Sequence, residues 1–443
     1  MKMINYSGLI ASTLLILTFL SGCTSGGAGS KPTSETRAVS GEKASGKPAE
    51  LVFYSTSADT PESFDQRYGN AIRKKFPNYT IKYIQFAKGN SFDELLTRGE
   101  KIDIYWDSIS TFSSNVVDYG LQYDMTELVK RSKMDLSRFE DVPLEAVKRF
   151  SNGGMYGIPV TNGNMVIYYN KDLFDKFGIA FPKDGMTWDE FNQLAKKLNR
   201  TQDGVTYTGL SISAKHLLRM NNFSEPFANA STKKQTIGTD NWKKVFSAYF
   251  TDPGTDTLMK EKSVQLKRAP YYDEFFKLKT SAMFPFVSNQ PATIPDLFRA
   301  MNWDVVSFPT FKELPGVGSQ AYPVYFGITA QSKEKEAAME VISYLTSDEY
   351  QMDISKKGIM SVLNNKSIKD AYGTETEFRN HNLKSVYYNK FAPIQTKTRY
   401  DEAIVTIINN EVPKLVTGDT DMNTFIRTVG ESLQRQIDTM ASK

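Results

Sequence analysis

A chain of 443 residues, 40% hydrophobic and 12% aromatic, exceeds what one ordinary core organises and suits two lobes. Its formal net charge of +4 comes from 54 basic and 50 acidic residues with no long basic stripe, so nucleic acid is not an expected partner. One cysteine and two well-separated histidines, His216 and His381, argue against an intramolecular disulfide, a CxxC metal site and a His-based triad, and both histidines read as ordinary surface or part-buried residues.

The N-terminus reads "MKMINYSGLIASTLLILTFLSGC". Lys2 precedes an apolar run of about 12 residues, too short for the ~20 that span a bilayer. This is the pattern of a secretory signal over residues 1–22. "LSGC" (Leu20, Ser21, Gly22, Cys23) resembles the bacterial lipobox. That resemblance implies a diacylglycerol on Cys23, which becomes the first mature residue. Thr24 to Glu50 is rich in Gly, Ser, Thr, Ala and Pro and has no aromatic residue. Such a segment lacks the apolar surface to fold. As a coil of roughly 27 residues it reaches about 30 Å, a leash between anchor and body.

Order is expected from "LVFYS" at Leu51, a short strand. In "PESFDQRYGNAIRKKFP", Phe64, Tyr68, Ile72 and Phe76 recur every four residues, a helix that Pro77 stops. "YTIKYIQF" is a second strand, "SFDELLTRGE" a helix with Ser91 and Glu94 at capping-box spacing, and "IDIYW" a third strand. Alternation of this kind predicts a parallel sheet with crossover helices. Ligands of such sheets lie beyond the carboxyl ends of the strands, here "STSAD" and "DSIST".

Further on, "MVIYYN" is a strand and "KDLFDKFG" a helix ended by Gly178. "TWDEFNQLAKKLN" opens with Thr187 and Glu190 at capping-box spacing. "NWDVVSFP" is a later strand. "SKEKEAAMEVISYLTS" is an amphipathic helix expected to be capped by Ser332. "DMNTFIRTVGESLQRQIDTM" is the last helix, with Phe425, Val429, Leu433 and Ile437 inward.

Four of these stretches together resemble one family, the extracellular solute-binding proteins of family 1, lipoprotein receptors of ABC importers, many of them for sugars. They are "GGMYGIPVTNGNMVIYYNKDLFDKFGI", "TWDEFNQLAKKL", "NWDVVSFPT" and "YFGITAQSKEKEAAMEVISYLTSDEYQ". The resemblance runs from Leu51 to the C-terminus. Where the family often shows Gly-Lys-Ala-Ala-Met before a binding loop, this chain has "LKTSAMFPFVSN".

The resemblance implies a periplasmic-binding-protein-like α/β fold, each lobe a mainly parallel sheet flanked by helices, joined by hinge crossovers. The expected first lobe holds 51–158 and 288–325, the second 159–287 and 326–443. It further implies capture of a small solute, here expected to be an oligosaccharide, and delivery to the membrane subunits of an ABC permease. The expected location is the outer face of the cytoplasmic membrane, on a Gram-positive surface or in a periplasm. The chain is expected to be a monomer with no cofactor and no metal.

A neutral polyol needs flat apolar faces and fixed polar groups. Candidate polar groups are Ser55, Thr56 and Ser57, then Asp107 with Ser108, then Asn162 and Asn164, then Ser288 and Asn289. Ser55 to Ser57 can equally cap a helix, and the Asn pair can serve a turn. Candidate platforms are Trp106, Phe286, Tyr322 and Tyr325, with Trp106 also fitting a core. Trp188 and Trp303 read as core. "RMNNF", Arg219 to Phe223, is a loop candidate of the second lobe. Rival classes are a surface glycosidase, which would need two carboxylates across a cleft, and a sensor or adhesin of the same fold. Asp103 with Asp107 and Asp93 with Glu94 supply carboxylates, but GxSxG, HExxH and P-loop patterns are absent.

Overall fold

A computed structural model describes residues 47–57 and 59–442. The expected signal segment, the Cys23 anchor and most of the leash lie outside these residues. The first strand starts at Ala49, two residues before the expected onset of order.

In chain order the first strands are β1 (Ala49–Ser55), β2 (Tyr79–Gln85), β3 (Ile104–Ser108), β4 (Ile158–Thr161) and β5 (Met165–Asn170). Next come β6 (Arg200–Gln202), β7 (Val205–Leu210), β8 (Ala228–Asn229), β9 (Lys234–Gln235) and β10 (Ser281–Val287). The last are β11 (Trp303–Ser307), β12 (Val317–Gln320), β13 (Val324–Ile328) and β14 (Lys390–Ala392). Two five-stranded sheets result, ordered β2-β1-β3-β13-β4 and β11-β5-β10-β7-β6. Helices cover both, and each sheet has its own apolar core. The two-lobe α/β architecture is therefore as expected.

The strand pairing is mixed rather than mainly parallel. In the first sheet β2, β1 and β3 run parallel, while β13 pairs antiparallel with both β3 and β4. In the second, only β10 with β7 is parallel. β13 and β5, which enter from the other lobe, pair antiparallel with their neighbours because no crossover helix precedes them, and β6 with β7 is a local hairpin.

Two segments lie in the lobe opposite to the one expected. Trp303–Ser307 joins the second sheet, because β11 pairs with β5 from Trp303↔Asn170 to Ser307↔Val166. The Lys335–Leu345 and Asp348–Lys356 helices pack on the first core through Ala338, Val341, Ile342, Leu345 and Ile354. Ser332 does not cap the first of these helices; its hydroxyl donates to Asp103 at 2.6 Å, and the helix starts three residues later.

The strict four-residue spacing of Phe64, Tyr68, Ile72 and Phe76 has a structural counterpart. A 3.6-residue helix would rotate such a row out of one face. Here a π-turn over Asp65–Gly69 sits between the Pro61–Phe64 and Asn70–Lys75 helices and absorbs the drift. All four side chains are buried as a result. Both expected capping boxes form, at Ser91/Glu94 and Thr187/Glu190. Gly178 ends its helix at φ 65°, the left-handed conformation that favours glycine. Among the described residues no helix is long and apolar enough to cross a membrane.

Candidate functional site

The parallel pairing of β1 with β3 sets Ser55–Ser57 beside Asp107 and Ser108 at the carboxyl ends of the first sheet. Asp107 organises this edge. It accepts from Thr56 N at 3.2 Å, from Tyr105 Oη at 3.0 Å, from Ser108 N at 2.8 Å and from the Thr56 hydroxyl. Burial raises the pKa of its carboxyl, and these donors oppose the rise. Ser55 is fully buried, and its hydroxyl donates to Ser57 Oγ at 2.9 Å. It fixes the turn and does not present a ligand contact. Thr56 and Ser57 remain at the edge.

The chain passes between sheets at Asn162–Asn164 and at Ala321–Pro323, and Met360 bridges to the first of these passages. These passages are tied to one another. Asn162 N donates to Met360 O at 2.9 Å, Tyr322 N to Gly163 O at 2.8 Å, and Ser288 N to Asn164 O at 2.9 Å. Asn164 adds a bond from its side-chain amide to Val386 O at 2.8 Å, and Ser288 Oγ accepts from Asn164 N at 3.2 Å. Asn162, Asn164 and Ser288 are thus drawn together as buried ties of the crossover region rather than spread along a cleft wall. Asn289 is half-buried and begins the Gln290–Thr293 helix.

The four expected platforms divide. Trp106 is 1% exposed and stacks on Phe326 at 5.8 Å, with Tyr68 edge-on at 5.3 Å. Tyr325 is fully buried against Phe112 and donates to Pro143 O at 2.7 Å. Both are core side chains, which corrects their expected role. Each belongs to a strand covered by helices on its own face, so no ligand reaches it. Phe286 is buried and stacked on Phe284 at 4.6 Å, where it backs the ring of His216 at 5.0 Å. Tyr322 alone is half-buried at the crossover, its hydroxyl 2.9 Å from Ser110 Oγ and 3.2 Å from Ser108 Oγ.

Opposite this edge stands a cluster of which the sequence reading named Arg219 as a candidate and His216 only as an ordinary residue. The Ala214–Arg219 helix carries His216 and Arg219. Ser213 Oγ lies 2.7 Å from His216 Nδ1, and the imidazole is 6.3 Å from the Tyr322 ring. Burial, with Arg219 and Lys215 nearby, lowers the His216 pKa to about 3, so the ring is neutral. Arg219 donates from Nε to Glu402 at 3.0 Å and from its second arm to the other oxygen, a bidentate pair. It also lies within electrostatic reach of Tyr322 and Asp107. Lys397 belongs to the segment before the Asp401–Thr417 helix, and burial lowers its pKa.

Of "RMNNF", only Arg219 joins this cluster. Asn222 is a buried brace that accepts from Tyr249 Oη at 2.8 Å and donates to Pro309 O at 3.0 Å. Asn221 ties its own loop through Glu225 N at 2.9 Å. His381 stacks on Trp303 at 4.2 Å, in the second core rather than at this site. His216 and Arg219 share one helix, but no sequence spacing joins them to Lys397 and Glu402, which they meet only through tertiary packing.

The carboxylates considered for glycoside hydrolysis do not face one another. Asp103 accepts from Val52 N at 3.0 Å and from Ser332, a structural tie within the first lobe. Asp93 and Glu94 are exposed in the first turn of the Phe92–Thr97 helix. Asp107 is fully engaged, as above.

The model of the bacterial extracellular solute-binding protein family matches residues 55–352. The chain belongs to that family.

This solute-binding protein is 29% identical over 170 residues to the arabinooligosaccharide-binding protein of Bacillus subtilis (strain 168), covering 36% of this chain and 38% of that one. It spans less than half the length of the curated relatives it matches. Its fold is similar to that of a Listeria monocytogenes ABC substrate-binding protein in complex with cycloalternan, with a TM-score of 0.68 at 20% identity over 88% of this chain and 100% of that one. It is also similar to the cyclic alpha-maltosyl-1,6-maltose binding protein of Arthrobacter globiformis, with a TM-score of 0.65 at 14% identity over 88% and 100%. In the solute-binding protein described here, the polar edge around Asp107 and Tyr322 faces the Arg219 cluster across the lobes.

Proposed function

We propose that this protein is the extracellular receptor of an ABC importer and captures an oligosaccharide between its lobes. The observation that carries this reading is the half-buried Tyr322, whose hydroxyl meets the first-lobe hydroxyls of Ser108 and Ser110 while its ring faces His216 of the second lobe. An aromatic face among fixed hydroxyls and neutral imidazole suits a sugar, which offers C–H surface and hydroxyls together. The similarity to receptors described with oligosaccharide ligands supports the same class.

The ligand contacts inferred are Thr56 and Ser57 from the first lobe, held in place by Asp107 behind them, Tyr322 at the crossover and His216 and Arg219 from the second. Asn162, Asn164, Ser288 and Asn289 then act at the hinge. We infer a first lobe of 47–161 with 324–368 and a second of 165–320 with 372–442. The receptor is held through Cys23 on the outer face of the cytoplasmic membrane, is monomeric, and passes its ligand to the permease unchanged. Labelling with a palmitate analogue tests the anchor: wild type takes up label and C23A does not. A thermal-shift screen tests the ligand class, with saccharides raising the melting temperature and no saccharide hydrolysed. Hydrolysis of any glycan by the purified protein overturns the receptor reading.

A further inference from the structure

The oligosaccharide reading leaves the ionic character of the sugar open, and the charges around the cleft bear on it. Three carboxylates reach this cluster. Asp107 has both oxygens occupied by Thr56, Tyr105 and Ser108. Glu402 has both occupied by Arg219. Asp401 is 3% exposed, with Oδ1 held by Thr398 and Oδ2 sealed from solvent. None of the three offers a free anionic atom to a ligand.

The cations differ. Arg219 is neutralised by Glu402. Lys397 is half-buried, and among the described residues its ammonium has no hydrogen-bond acceptor and no carboxylate within ion-pair distance. Asp401 and Glu402 act on it only from further away. Lys215, one turn before Arg219 on the same helix, is likewise half-buried and without an acidic partner among the described residues. The charge left with unused hydrogen-bonding capacity is therefore positive.

A neutral sugar closing over Lys397 would strip water from an ammonium and return only hydroxyl acceptors. A carboxylate would return a charge-assisted bond, roughly twice as strong as a neutral one. We propose that the cleft takes an acidic oligosaccharide, one that bears a uronate carboxylate, and that Lys397 receives that carboxylate. This inference rests on the oligosaccharide-receptor reading.

The test is titration calorimetry of the full chain against matched probes: trigalacturonate beside galactotriose, glucuronosyl-xylotriose beside xylotriose, and a wider glycan panel paired in the same way. The acidic member of a pair binds at least tenfold more tightly, and its affinity falls as NaCl rises from 50 to 500 mM. K397M removes the preference and K397R retains it, both with unchanged melting temperature without ligand. Equal or tighter binding of neutral members, or a preference that survives in K397M, overturns the inference and leaves the receptor reading standing. Binding of peptides or amines alone, with no saccharide of either kind, removes both.

Discussion

Arg399 Nε lies 3.1 Å from Asp118 Oδ1, and this ion pair joins the two lobes. Asp118 ends the Ile109–Asp118 helix on the first sheet. Arg399 precedes Tyr400, which is buried in the second core. Nearby, Arg149 of the first lobe donates to Ile394 O at 2.7 Å. The segment 393–400 thus straddles the cleft that the proposed ligand would occupy.

Removing Arg399 loosens this strap. The pair is partly exposed, at 43% and 27%, so its worth is at most about 1 kcal/mol. R399Q is expected to weaken ligand binding about two- to fivefold and to enlarge the radius of gyration of the free protein in X-ray scattering. Unchanged scattering and affinity would show that the pair does not hold the lobes together.

Tyr322 is predicted to contribute through both ring and hydroxyl. Y322F loses the bonds to Ser108 and Ser110, about 1 kcal/mol. Y322A loses the ring as well and weakens ligand binding by tenfold or more. Calorimetry on the two variants separates the parts; equal affinities for Y322F and Y322A would place the ring outside the contact.

Trp106 and Tyr325 are predicted to affect stability and not recognition. W106A opens a cavity in the first core and costs about 3–5 kcal/mol. Y325F leaves the Pro143 carbonyl without its donor and costs about 1–2 kcal/mol. Urea unfolding measures both. Y325F, which keeps the ring, should bind ligand with wild-type affinity; a tenfold loss there would return Tyr325 to the site.

The half-buried His216 and the buried Asp401 give opposite pH dependences. The folded-state pKa of His216, about 3, lies below its unfolded value of about 6.5. The unfolded chain therefore binds the proton first, and this stability is complete above pH 6.5 and lost as pH falls towards 3. Asp401 has a folded pKa of about 6, raised by burial above the ordinary 3.8. Here the folded chain holds the proton more tightly, so stability falls as pH rises from about 4 to about 6. Melting curves of D401N should equal wild type near pH 4 and exceed it above pH 6.5. H216Q should flatten the acid-side loss between pH 6.5 and 5. A wild-type advantage over D401N at pH 7 would contradict the burial argument.

Much of the fold was legible because its signals are local. Short apolar runs marked β1, β3 and β5, alternation marked β2, and the two capping boxes marked helix starts at Phe92 and Trp188. What failed depended on distant pairing. β10 carries no element in the sequence reading; its pairing with β7 ends at Met283, so Pro285 falls where the strand is bonded to β5 alone. The Asp401–Thr417 helix went unassigned, with Pro413 breaking an otherwise apolar face of Ile404, Val405, Ile408 and Val412. At the site, the edge from Thr56 to Asp107 followed from strand order alone. Trp106 and Tyr325 misled because an aromatic residue in a strand reads alike whether its face is covered by helices or open. Arg219 is far in sequence from Lys397 and Glu402, and no spacing rule joins it to them.

The central claim is that a saccharide binds between the lobes against Tyr322. The most direct measurement is a thermal-shift and calorimetry screen of wild type and Y322A against oligosaccharides, peptides, amino acids and polyamines. At a hundred times its Kd a true ligand stabilises the protein by about 2.7 kcal/mol. The account predicts that an oligosaccharide raises the wild-type melting temperature and that Y322A loses affinity for it by tenfold or more. Stabilisation by non-saccharide solutes alone, or an oligosaccharide bound equally well by Y322A, would contradict it.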